Sequence, residues 1–193
     1  MGVGQSMERR TIRDILAIMG GKCIFRFRVG YHVSKLITMR PYSQTAAFYR
    51  LAMQAGLATP EEVIAWADGI LASSADYDDD LANIALAANA SYKELYLLLG
   101  QLASGADHWE ALRDVLSRMY RALVENPSRI GEFTHFLYVW IEHDDAVPDD
   151  LKFIISIDDE FGLARDGING TVEGVTWSLF EDLKIFKERS TPP

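Results

Sequence analysis

The sequence predicts an all-α protein: an irregular multi-helix bundle of about eight or nine helices around a buried central helix at 130–142, with stacked helical hairpins as the alternative arrangement. Three observations carry this expectation. Apolar residues recur at helical spacing along nearly the whole chain. Thr59/Glu62, Ser91/Glu94 and Asp107/Glu110 each place a capping oxygen three residues before a glutamate, the local signature of a helix start. From Ile130 to Ile141 almost no polar face remains, and a helix apolar nearly all round is normally buried.

Length and composition fit one helical domain over residues 1–193. Nearly half of the residues are hydrophobic, enough to build a core without covalent staples. Charge divides the chain in two. Residues 1–40 hold eight basic side chains against Glu8 and Asp14, a net of +6, so residues 41–193 carry −15 of the overall −9. A basic N-terminal helical segment (1–40) is therefore attached to an acidic helical body (43–190). Such a body disfavours nucleic acid, except through residues 1–40, and fits plain solubility first, then basic protein partners or metal ions. The lone Cys23 cannot form an internal disulfide, and the expected location is the cytoplasm. No apolar run is long enough to span a bilayer.

Along the chain, Ile12, Ile15, Leu16 and Met19 predict a basic amphipathic helix over 8–19, ended by Gly20 and Gly21. Residues 22–39 carry both periodicities, alternation over Phe25–Val29 and a helical face through Val29, Val33, Leu36 and Ile37. Helix is the expectation, since no later strand offers a ladder partner. Ser43 precedes a helix closed by Gly56, and Thr59-Pro60-Glu61-Glu62 opens the next, burying Val63, Trp66, Ala67, Ile70 and Leu71. Asp78, Asp79 and Asp80 favour a helix start, with Leu81, Ile84, Ala85 and Ala88 facing inward. The Ser91 box leads into Leu95, Leu98, Leu99 and Leu102. The Asp107 box leads into Trp109, Leu112, Leu116, Met119, Tyr120 and Leu123 before Asn126-Pro127. Beyond the central helix, Leu151, Ile154, Ile155 and Asp158 share a face. Gly162, Gly167, Gly170 and Gly174 mark a loop, and Val175, Leu179, Leu183 and Phe186 form a last helix.

The densest group of chemical side chains follows the apolar stretch: Glu142, His143, Asp144 and Asp145, with Glu132 and His135 one face earlier. Glu132-x-x-His135 has the spacing of di-iron carboxylate bundles. A second such pair is missing, because Val29, Gly105 and Trp140 stand where His32, His108 and His143 would need a glutamate. The pair His143-Asp144, with His108 or His135 before it and Asp158 or Asp159 after it, resembles the His, His-Asp, Asp series of HD-type metal-dependent phosphohydrolases. That resemblance implies a divalent metal held by His135, His143, Asp144 and Asp158, activating water against a phosphoester. It departs from the family pattern in standing at a helix end, just before Ala146-Val147-Pro148.

Other groups have simpler readings. Asp76, Asp78, Asp79 and Asp80 lack the glycine and distant glutamate of a calcium loop, Cys23 lacks a histidine partner, and no Gly-x-Ser-x-Gly elbow is present. Trp66, Trp109, Trp140, Trp177 and Tyr77 exceed what a Leu- and Ala-based core requires; core packing is the default for aromatics at helical spacing, and exposed contact anchors are the alternative for some of them. The expectation for function is a non-enzymatic protein-binding or regulatory domain with an acidic contact surface, of immunity, inhibitor or adaptor type and without a cofactor. The HD-like hydrolase is its rival.

Overall fold

The computed structural model describes residues 40–74, 78–141 and 146–189, and the helices expected over 8–19 and 22–39 lie outside them. The described residues form eight α-helices and no strand: α1 Ser43–Gln54, α2 Pro60–Ser73, α3 Asp79–Ala85, α4 Tyr92–Leu102, α5 His108–Glu125, α6 Ile130–Ile141, α7 Ile154–Arg165 and α8 Val172–Leu183. Short 3-10 turns follow α5, precede α7 and follow α8.

Helix starts obey local chemistry. Thr59 accepts from the Glu62 amide while Glu62 returns a bond to the Thr59 amide at 2.8 Å, and Ser91 with Glu94 repeats this closed box. Asp78 accepts from the amides of Asp80 and Leu81. At α5 only half of the expected box exists. Asp107 accepts from Trp109 and Glu110, but its own amide donates to the Gln44 side chain. Glu110 is drawn instead to Arg113 at 2.9 Å and Arg189 at 2.6 Å. Three further details differ from the sequence reading. α3 stops at Ala85 and leaves Ala88 exposed. Gly162 and Gly174 lie inside helices, so the loop between α7 and α8 is confined to Asp166–Thr171. A 3-10 turn at Asp149–Leu151 shifts the phase of α7, turning Ile157 inward and Ile155 out to solvent.

The inner pillar is α5. Its Ala111, Leu112, Val115, Leu116, Met119 and Leu123 are fully buried, and α1, α8 and the two 3-10 turns flanking α6 and ending α8 pack around it. α1 also rests on α4, α2 on α3, and α3 on α4; on the other side α6 packs on α7 and α7 on α8. The expectation of a wholly buried helix at 130–142 is thereby corrected. α6 buries one face, Ile130, Phe133, Thr134 and Leu137, while Tyr138 and Val139 are 41% and 48% exposed. Its principal helical neighbour is α7, and a helix covered mainly from one side hides only one stripe.

Arginines stitch the halves together. Arg118 on α5 donates to the Leu57 carbonyl at 3.0 Å and pairs with Glu62. Arg129 donates to the carbonyls of Ala55 and Gly56 and pairs with Glu132 at 3.0 Å. Both cations sit at the negative end of α1, which has no basic residue in its own last turn.

Candidate functional site

A cleft of about 820 Å³ opens between α6 and α7. Its floor is set by Gly131: a Cβ there would meet Phe161 Cε1 at 3.0 Å, so the absent side chain lets the ring approach the α6 backbone. One turn along α6, Glu132 and His135 reach the same wall. α7 supplies Asp158, Asp159, Arg165 and Asp166, with Phe161 and Leu163 as apolar lining. Four carboxylates thus face one guanidinium, and Arg165 is already paired with Asp166 at 3.1 Å. Glu132 is held by Arg129, whereas Asp158 and Asp159 make no ion pair among the described residues. Asp158 is half-buried; Asp159 and His135 are exposed.

His135 and Asp158, both expected in the metal set, meet in this cleft. His143 and Asp144, the other two, lie outside the described residues, as do Glu142, Asp145, Asp76, Tyr77 and Cys23. Among the described residues no group of three His, Cys, Asp or Glu side chains is arranged to hold a metal ion. His108 stacks obliquely on Trp109 at 5.1 Å and on Trp140 at 5.9 Å, against the last turn of α6. Asp78 and Asp80 are committed to capping α3 and to pairing with Arg40.

The tryptophans separate by environment. Trp66 is buried against Tyr49 at 5.1 Å, Trp109 and Trp140 pack edge to face at 4.9 Å, and Trp177 stands in solvent. The sequence signal for Trp177 was present, since position 177 falls off the inward stripe of Val175, Leu179 and Leu183. Phe161 and Gly131 gave no such signal, because their meeting depends on how α6 crosses α7.

Carboxylates crowd the next seam too. Asp182 on α8 has its carboxyl pushed above the usual range, first by burial and then by the charge of Glu160 on α7. Chemically, the α6–α7 cleft is suited to receive cations with an apolar stem. No helix of the described residues is long and apolar enough to cross a membrane. Comparisons with family models, curated proteins and solved structures return no match for this chain.

Proposed function

We propose that this chain is a non-enzymatic helical domain of the cytoplasm that binds a basic protein through an acidic contact surface, as an inhibitor, immunity protein or adaptor does. The observation that carries the reading is the α6–α7 cleft, where Asp158 and Asp159 lack a cationic partner among the described residues while Phe161 and Leu163 line the same walls. Unneutralised carboxylates around apolar lining complement lysine and arginine side chains, whose stems are apolar and whose tips are charged. Such complementarity steers encounter and selects partners by sign. The test is capture from native lysate by the wild-type chain and by Asp158→Asn/Asp159→Asn, at low and moderate salt. A basic protein retained by the wild type, weakened by salt and lost by the variant is the expected result. Capture of no protein at either salt overturns the reading.

A second reading draws on the convergence of His135 and Asp158 in that cleft, which the HD-like series requires. In it, these residues and His143 and Asp144 hold a divalent metal and hydrolyse a phosphoester. Elemental analysis of the purified protein and a phosphoesterase screen with manganese or magnesium decide it. Activity lost in both His135→Ala and Asp158→Ala supports the hydrolase; no bound metal and no activity remove it.

A further inference from the structure

Helix α8 turns Val175, Leu179 and Leu183 into the core, and Phe180 meets Tyr120 edge to face at 5.9 Å. Trp177 does the opposite: it is 67% exposed, the largest side chain presented to water by any described helix. On the same helix face stand Glu173, four residues before it, and Glu181, four residues after it, both exposed. Glu181 holds Lys184 at 3.2 Å, while Glu173 makes no ion pair among the described residues. Trp177 thus shares its helix face with one carboxylate unpaired among the described residues, Glu173, and one already paired, Glu181.

The segment from α7 through the turn after α8 has the same sign. Residues 154–186 carry seven carboxylates against Arg165 and Lys184. At the α7–α8 seam Glu160 and Asp182 already repel one another. Anionic lipid and nucleic acid are disfavoured by this charge. A cation is favoured twice, by the quadrupole of the indole and by the unpaired carboxylate of Glu173. Tryptophan is also the residue type in which interface energy most often concentrates.

We infer that Trp177 anchors the contact with a basic protein, receiving an arginine or lysine side chain over its indole while Glu173, one turn away on the same face, faces the charge. The inference rests on the acidic-surface reading above and adds the place and the chemistry of the contact. The probe is a labelled helical peptide of arginine and alanine, titrated into the full chain and followed by anisotropy, with its glutamate counterpart as control. Trp177→Ala is expected to weaken the arginine peptide about tenfold, with Trp177→Phe and Glu173→Gln falling between it and the wild type. Melting temperatures should stay unchanged, because the ring packs against little.

Failure separates the two claims. Full affinity in Trp177→Ala, with loss in Asp158→Asn/Asp159→Asn, keeps the acidic contact surface and overturns the anchor. No binding of the arginine peptide to the wild type at low salt overturns both. Sedimentation of the wild type as a dimer that Trp177→Ala dissolves assigns the face to a second copy, and also overturns the inference.

Discussion

α5 and α6 invert the ordinary relation between hydrophobicity and burial. α6 has Glu132 as its single charged residue in twelve, yet leaves Tyr138 and Val139 in solvent. α5 carries Glu110, Arg113, Asp114, Arg118, Arg121 and Glu125, yet its apolar stripe is fully buried. Neighbours decide the difference. α5 is packed by α1, α8 and two 3-10 turns, and its charges work outward as ties: Arg118 to Glu62, Arg113 to Asp150 at 2.7 Å, Glu110 and Asp114 to Arg189. α6 packs mainly against α7 and the turn before it, with Trp140 reaching His108 and Trp109 of α5, so apolar surface beyond one stripe remains uncovered. Composition reports how much apolar surface a helix has, and topology how much of it is hidden.

The largest expected effect tests this contrast directly. Leu116→Ala on α5 should cost about 2–5 kcal/mol, because the methyl groups leave a cavity in a site with no solvent access. Val139→Ala on α6 should stay within about 0.5 kcal/mol. Urea denaturation of both variants measures the gap. Equal losses would restore α6 as the pillar and break the comparison.

A smaller effect belongs to the crossing that makes the cleft. Gly131→Ala places a methyl 3.0 Å from Phe161 Cε1 and 3.1 Å from its Cζ, an overpacking expected to cost about 1–3 kcal/mol. In a Phe161→Ala background the same methyl has room, so the cost should largely vanish. Purely additive losses in that double-mutant cycle would mean that the close approach does not set the α6–α7 geometry.

Legibility in the sequence followed the range of the forces involved. Thr59/Glu62 and Ser91/Glu94 close boxes within one turn, and both form as read. Asp107/Glu110 has the same pattern, yet Glu110 goes to Arg189, 79 residues away, where a guanidinium outcompetes a backbone amide. The inward stripe of α8 was readable from period alone, and with it the outward place of Trp177. The stripe of α7 was not, because the 3-10 turn at Asp149–Leu151 resets the helical phase and exchanges Ile155 for Ile157. Within the candidate site, His135 and Asp158 were recognisable as chemical groups. Their meeting depends on the Gly131–Phe161 approach, for which neither position carries a periodic or capping signal.

The smallest effect probes the carboxylate crowding on the C-terminal side of α5. Burial and Glu160 raise the Asp182 carboxyl above its ordinary value of 3.8, so the folded state prefers the neutral acid. The stability from that preference is fully present below pH 3.8 and is lost as pH rises through the raised value. Asp182→Asn, neutral at every pH, should therefore stabilise the protein at neutral pH and add nothing below pH 3.8. The side chain is only half-buried, so solvent screening holds the gain below about 1 kcal/mol. In a Glu160→Gln background the gain should shrink, leaving only the part due to burial. Thermal melts of the four proteins across pH decide it. A gain that persists at acid pH would place its origin in packing, and would remove like-charge repulsion from the argument behind the proposed cation-binding face.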